Sequence, residues 1–211
     1  MQIKKLKPGY RKLTSAKARL IAHLIGDGCV FQSKTNYNLQ YDIIDDELIK
    51  IFVKDLDKVY GLKAKIKFKK SGKTEKYLPC VYVRSKNAFL DLKKYCDYYS
   101  YTWSVPSQIM NSSKSIKKEF LMALYDDEGS VVPQGKKAEI RLYSVNLKGL
   151  KQIQKILLEF GIENRLREGY GSRRNVYGVI VKNLKLFHKE IGFYCIRKQQ
   201  KLEKMSPPTR I

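Results

Sequence analysis

Two stretches decide the reading: Leu20-Ile21-Ala22-His23-Leu24-Ile25-Gly26-Asp27-Gly28 and Leu121-Met122-Ala123-Leu124-Tyr125-Asp126-Asp127-Glu128-Gly129. Each is an apolar run at helical spacing with a small residue in third place, and each closes on an acid followed by glycine. Gly28 and Gly129 read as helix stops, because glycine enters the left-handed conformation that ends many helices. Asp27 and Glu128 then stand at helix C-termini, where a carboxylate opposes the macrodipole at a cost of about 0.3–1 kcal/mol. Lysine or arginine is the stabilising choice there, and the chain has 43 of them. The unfavourable charge at the same end of two helices gives the carboxylates a task, such as holding a cation. Two ordinary helix ends with solvated acids are the alternative, and it weakens for a matched pair.

The net charge of +23 and the pI near 9.8 call for a polyanionic partner. Nucleic acid comes first and an anionic membrane surface second. A membrane anchor would concentrate the charge on one amphipathic helix, whereas here lysine and arginine recur on strands and loops throughout, so no membrane partner is expected. A hydrophobic content of 43% with 11% aromatics argues for a packed core. Cys29, Cys80, Cys96 and Cys195 have no zinc-type spacing, and His23 and His188 are isolated, which excludes a His-based nuclease. With no signal peptide and no long apolar segment read from the sequence, an intracellular protein, in the cytoplasm or nucleoid, is expected.

The surroundings of the two stretches repeat as well. Thr14 or Ser15 caps the first helix, and Ala18, Ala22 and Gly26 form a small-residue stripe that admits a close helix partner, with Ala123 at the matching place. After a turn at Thr35-Asn36, Leu39, Tyr41 and Ile43 alternate with Asn38, Gln40 and Asp42, a strand with one buried and one wet side. A helix over 46–60 ends at Gly61. Leu62, Ala64, Ile66 and Phe68 then alternate with Lys63, Lys65, Lys67 and Lys69, which predicts a strand with a buried apolar face and a basic face; a solvated edge strand is the alternative. A loop over 70–76, a strand at 77–84 and a helix at 85–95 close the first half.

The second half follows the same order. A helix from Ser113 or Ser115 runs to Gly129, and a loop holds Pro133 and Gly135. Glu139, Arg141 and Tyr143 alternate with Ile140, Leu142 and Ser144. A helix capped by Asn146 ends at Gly161. A strand at 162–167 shows Arg165 and Arg167, a turn at 169–174 carries Arg173 and Arg174, and a strand at 175–181 leads to a helix at 182–191. Such self-similarity marks two copies of one unit. The expected fold is α+β: two pseudo-symmetric αββαββα repeats whose antiparallel sheets form a DNA-binding saddle. The expected divisions are a basic arm 1–13, a first repeat 14–97, an aromatic linker 98–112, a second repeat 113–196 and a loose tail 197–211.

The two stretches resemble the signature of the LAGLIDADG homing endonucleases, in the archaeal-type, intron-encoded single-chain form that carries two copies. The residues that carry it are Ala22, Gly26, Asp27 and Gly28 in one copy and Ala123, Asp126, Glu128 and Gly129 in the other, and the likeness spans about residues 14 to 195. It implies that Asp27 and Glu128 hold Mg²⁺ or Mn²⁺ with help from the backbone carbonyls of Gly26 and Asp127, and that the product is a double-strand break at a long site.

Parity places Asn38, Gln40, Arg141 and Tyr143 to read bases in the major groove, with Asp42 accepting from a cytosine amino group. Lys63, Lys65, Lys67, Lys69, Arg165, Arg167, Arg173 and Arg174 are placed on bases or phosphates. The sequence departs from the family where a Gln or Asn, followed by Lys in one half, often stands: Ile43, Ser144 and Val145 occupy those places. Lys86 and Lys182 are candidate auxiliary groups. Asp126 is expected to pack near the interface, and Asp127 either to perturb metal binding or to face solvent. The expected partner is double-stranded DNA, bound by a monomer. Intron RNA, bound by a maturase on the same scaffold, is one alternative function; a catalytically silent DNA-binding regulator is another.

Overall fold

The threonine at position 14 does begin a helix. In the computed structural model, which describes residues 6–70, 77–134, 137–170 and 172–206, the Thr14 hydroxyl accepts the Lys17 amide at 3.2 Å and opens α1 (Ser15–Ile25). Residues 71–76 of the loop expected over 70–76, Gly135, Gly171 and the tail prolines at 207–208 lie outside the described residues. Leu20, Ile21, Ala22 and Leu24 of α1 are all buried, and even Lys17 and His23 are inside. A helix buried on all sides needs partners on all sides. α5 (Lys114–Glu128) is one of them, and Arg19 ties the two together. Its guanidinium donates twice to Asp55 at 2.7 Å and once to Glu119 of α5 at 2.6 Å.

Each half then builds the same sheet. In the first, β1 (Gly28–Ser33), β2 (Asn36–Asp42), α2 (Asp46–Tyr60), β3 (Lys65–Lys70), β4 (Tyr77–Arg84) and α3 (Lys86–Lys93) give an antiparallel sheet of order β1-β2-β4-β3. A short α4 (Ser107–Met110) lies between the halves. In the second, β5 (Gly129–Gln134), β6 (Lys137–Ser144), α6 (Leu147–Glu159), β7 (Asn164–Tyr170), β8 (Arg173–Val181) and α7 (Leu184–Glu190) give the order β5-β6-β8-β7. Two antiparallel sheets with helices against one face make this an α+β fold of two like repeats. The apolar faces carry Val30, Leu39, Tyr41, Val81 and Val83 in one sheet and Val131, Ile140, Leu142, Val179 and Val181 in the other. α2 and α6 each end at a glycine in the left-handed conformation, Gly61 (φ 69°) and Gly161 (φ 73°). Among the described residues no helix is long and apolar enough to cross a membrane.

The structure corrects several expectations. The first hairpin turns at Lys34-Thr35, one residue earlier than predicted, since Ser33 pairs with Asn36. The loop expected at Pro133 is the strand β5. It lies at a sheet edge, where a proline forfeits no ladder bond. β3 starts at Lys65, so Lys63 precedes it, and its apolar side is not buried: Ile66 is 51% and Phe68 68% exposed. Edge position explains this, because alternation buries a face only where a helix covers it. Arg173 and Arg174 belong to β8 rather than to a turn. Part of the expected loose tail is helix α8 (Ile196–Met205), anchored by fully buried Leu202.

Trp103 of the aromatic linker packs on the second repeat, while Tyr99 and Tyr101 are exposed and the Tyr98 hydroxyl donates to the Leu92 carbonyl of the first. The Trp103 indole N–H donates to the Ser144 hydroxyl at 3.4 Å, and the Asn146 amide donates to the Trp103 carbonyl. The ring packs against Gly149 of α6, where an added Cβ would enter its atoms. Gly149→Ala is therefore expected to destabilise by about 1–3 kcal/mol, the usual cost of overpacking. A chemical-denaturation midpoint unchanged from the parent would show that the linker repacks freely.

Candidate active site at the helix crossing

The two acids arise from the way each helix hands over to its strand. α1 stops at Ile25, Gly26 caps it by donating to the Ala22 carbonyl at 2.9 Å, and the Asp27 carbonyl accepts the Asp42 amide at 3.2 Å. α5 runs through Glu128, and Gly129 begins β5. Contrary to expectation, neither Gly28 nor Gly129 is left-handed. Both are there for space. A Cβ on Gly28 would lie 2.7 Å from the Leu24 Cα and 2.8 Å from the His23 carbonyl oxygen, and one on Gly129 would lie 2.5 Å from the Tyr125 carbonyl oxygen. The strand doubles back against the last helical turn, and only glycine fits the contact. Gly26 marks the crossing itself, since its Cβ would fall 2.6 Å from the Cβ of Asp127.

Asp27 and Glu128 remain reachable from solvent, but neighbouring protein strips much of the water from their carboxylates. That loss pushes Asp27 up to about 6, with the charge of Asp127 adding. It pushes Glu128 up to about 7, with Asp27 and then Asp127 adding. The two acids, one from each half, therefore share one electrostatic neighbourhood. Oxygen donors crowded until each resists ionisation suit a hard divalent cation, which would relieve the repulsion.

Asp127 neither faces solvent nor stands alone. Its side chain is fully buried against that of His23. His23 Nδ1 lies 3.1 Å from both carboxylate oxygens, and the Tyr41 hydroxyl donates to Oδ1 at 2.6 Å. Burial alone would lower the His23 pKa; the Asp127 carboxylate outweighs it and holds the imidazole above its ordinary value. The expected isolated histidine is thus part of a bond between the two motif helices. Asp126 is also inside, accepting the amides of Tyr194 at 3.2 Å and Cys195 at 2.9 Å, and burial pushes its carboxyl up to about 7.

One residue here escaped the sequence reading. Lys198 of α8 sends its ammonium to the end of α5, donating to the carbonyls of Gly129 (2.7 Å), Asp127 (3.2 Å), Tyr125 (3.4 Å) and Asp126. The expectation that a cation belongs at a helix C-terminus holds, but a different helix supplies it.

The strand registers gather the candidate nucleic-acid contacts on the sheet faces opposite the core. Gln40 pairs with Tyr82, and Tyr82 with Lys65; Asp42 pairs with Cys80, and Cys80 with Lys67. Arg141 pairs with Ile180 and Tyr143 with Gly178, beside Arg165 and Arg167. Several of these groups are already engaged. Asn38 is buried and accepts from the Tyr82 hydroxyl at 2.5 Å. Asp42 accepts from Gln40 at 2.8 Å and Lys69 at 3.0 Å. Glu139 accepts from Arg141 at 3.1 Å and Arg165 at 3.3 Å. A bulge between Glu168 and Tyr170 brings the Tyr170 ring within 4.7 Å of Tyr143. Among the described residues the Tyr143 hydroxyl has no hydrogen-bond partner.

Lys86 and Lys182 are not brought to the acids. Lys86 lies six residues beyond Cys80 on the side away from Asp27, roughly 20 Å at 3.3 Å per residue. Its ammonium sits over the Tyr37 ring at 5.5 Å. Lys182 likewise lies beyond Val181, away from Glu128. A separate group, Asp45, Glu47 and Cys195, brings potential ligand atoms within 4.8 Å of one another. Both its carboxylates already have partners: Glu47 accepts the Ile196 amide at 2.7 Å and Asp45 accepts from Arg197 at 3.3 Å. They bind the start of α8 to α2.

Residues 115–192 match the family model described as "LAGLIDADG-like domain". Among curated proteins, the replication factor C small subunit of Methanocaldococcus jannaschii is 29% identical over 193 residues, covering 88% of this chain and 10% of that protein. The chain spans between 10% and 23% of the length of the curated relatives it matches. Among solved structures, I-DmoI in complex with DNA and Mn is 19% identical, covers 84% of this chain and 96% of its own, and superposes with a TM-score of 0.62; I-DmoI also matches in a complex with DNA and Ca. I-WcaI bound to its DNA recognition sequence is 15% identical, covers 88% and 89%, and has a TM-score of 0.64. Residues 115–192 are thus similar to a LAGLIDADG-like domain, and the chain as a whole has the two-repeat fold of the homing endonucleases I-DmoI and I-WcaI.

Proposed function

We propose that this protein is a site-specific DNA endonuclease that hydrolyses both strands of a long, pseudo-symmetric duplex target with divalent cations. The observation that carries this reading is the meeting of Asp27 and Glu128, one acid from each repeat, between two sheets with like topology and basic faces. Similarity to proteins solved with DNA, and with Mn or Ca at 18–19% identity, supports it. In this reading each repeat (14–97 and 113–196) takes one half-site, so a monomer suffices. Mg²⁺ or Mn²⁺ bound there would supply activation of water and charge for the leaving 3′-oxygen.

The chain's own residues do the rest. Asp27 and Glu128 hold the cations, with the carbonyls of Gly26 and Asp127. Gln40, Asp42, Arg141, Tyr143, Arg165 and Arg167 face the groove. Several are held in mutual hydrogen bonds that base edges would replace, which favours specificity over raw affinity: a wrong base leaves those groups unpaired. Lys65, Lys67, Lys69, Arg173 and Arg174 neutralise phosphates. Such an enzyme acts on DNA inside the cell.

The direct test is selection of cleaved molecules from a randomised duplex library in Mg²⁺. One long site with staggered ends is expected from the parent, and none from Asp27→Asn or Glu128→Gln, both of which keep DNA binding. Loss of binding by a folded variant would contradict the metal role. Lys65→Ala and Lys67→Ala should each lower the slope of log affinity against log salt by about 1; an unchanged slope would place those lysines away from DNA.

The raised carboxyls also give a pH signature. A carboxyl raised in the fold contributes stability at low pH that is lost as pH rises through its folded value. For Asp27 that window runs from its ordinary 3.8 to about 6. Without metal, Asp27→Asn should therefore melt higher than the parent above pH ~6 and alike below pH ~4, and saturating Mg²⁺ should reverse the order at high pH. A difference independent of pH would show that the acid is not electrostatically strained.

A further inference from the structure

The end of α5 is closed by a cation from outside the repeat. One ammonium, that of Lys198, serves the carbonyls of Tyr125, Asp126, Asp127 and Gly129. Its helix is held firmly. The Ile196 amide donates to Glu47 at 2.7 Å, Arg197 reaches Asp45 at 3.3 Å, the Tyr194 and Cys195 amides bond Asp126, and Leu202 is fully buried. The end of α1 is held differently, by the Asp42 amide on the Asp27 carbonyl at 3.2 Å. The repeat makes the two helix ends alike in sequence, and α8 makes them unlike in charge.

We propose that Lys198 is a positioning residue that makes the two cation positions of the acid pair unequal. This rests on the metal-dependent reading above. A divalent ion that uses the Asp127 carbonyl must share that oxygen with an ammonium already bound to it, and it meets the repulsion of a fixed positive charge. Lys198 makes no such bond to the Gly26 carbonyl. The consequence is stepwise filling and unequal cutting of the two strands, with a nicked duplex as the intermediate.

The test is Mn²⁺ binding by the full chain without DNA, read by the electron paramagnetic resonance of free Mn²⁺. Nicked duplex is followed in a separate cleavage assay. The parent is expected to show one tight and one weak site, about 10- to 100-fold apart. Lys198→Met should bring the two affinities together and diminish the nicked intermediate, while Lys198→Arg keeps both parental features. If Lys198→Met fails to fold for want of the helix cap, Lys198→Gln, which retains neutral donors at the carbonyls, is read in the same way. Two equal sites in the parent, or a folded Lys198→Met or Lys198→Gln with the parental inequality, would overturn the assignment. Absence of Mn²⁺ binding from parent and variants alike would overturn the metal reading itself, and this one with it.

Discussion

Everything in the molecule depends on how closely α1 and α5 cross. At the crossing Gly26 meets Asp127 with no room for a single methyl group. That contact sets where each helix ends, and hence where Asp27 and Glu128 emerge and how the two sheets diverge from the same point. His23 and Tyr41 of one half hold Asp127 of the other from beneath. The joint is therefore packed apolar surface between two ionic ties, Arg19 to Glu119 nearer its start and His23 to Asp127 at its last turn, next to the acids. A small residue in place of Asp127 would keep the approach but lose the bond between the halves.

Charge distribution follows from this geometry. Asp27, Glu128, Asp127 and Asp126 gather at one end of two helices whose dipoles already place negative charge there. Two of these acids are spent on structure: Asp127 on His23 and Tyr41, Asp126 on the amides that lead into α8. The other two are left without a full complement of water or cations and are shifted upward as a result. Lys198 offsets part of this from a third helix. The excess positive charge of the chain spreads instead over sheet faces and outer surfaces, where a polyanion can reach it.

Much of this was legible in the sequence, and the exceptions have physical causes. α2 and α6 are legible because apolar periodicity agrees with a left-handed glycine at Gly61 and Gly161, and at α6 with a side-chain cap from Asn146 as well. Alternation separates the polar from the apolar side of β2 and β6, but Asn38 and Glu139 on the polar sides are buried by their neighbours and Ile43 lies past the end of β2. The role of Gly28 and Gly129 was misread because close approach and positive φ both select glycine, and sequence does not distinguish them. β5 was hidden by Pro133, a breaker that an edge strand tolerates. β3 showed a full alternation, but periodicity reports what a strand offers and not whether a helix covers it.

The site was partly legible in the same sense. The acid pair was visible because it is local and repeated. His23–Tyr41–Asp127 and Lys198 were not, because they depend on which elements meet in three dimensions. α8 carries little apolar sequence beyond Leu202 to announce a packed helix, so its lysine was one among 43. A rule of charge at helix ends could have demanded such a residue without naming it.

The crossing gathers Asp27 and Glu128 into what we propose is a divalent-cation site. Anomalous diffraction from crystals of the protein with a DNA duplex and Mn²⁺ tests it most directly. Anomalous density is expected between the Asp27 and Glu128 carboxylates, beside the Gly26 carbonyl. Density confined to Asp45, Glu47 and Cys195, or none at the crossing in a well-ordered complex, would contradict it.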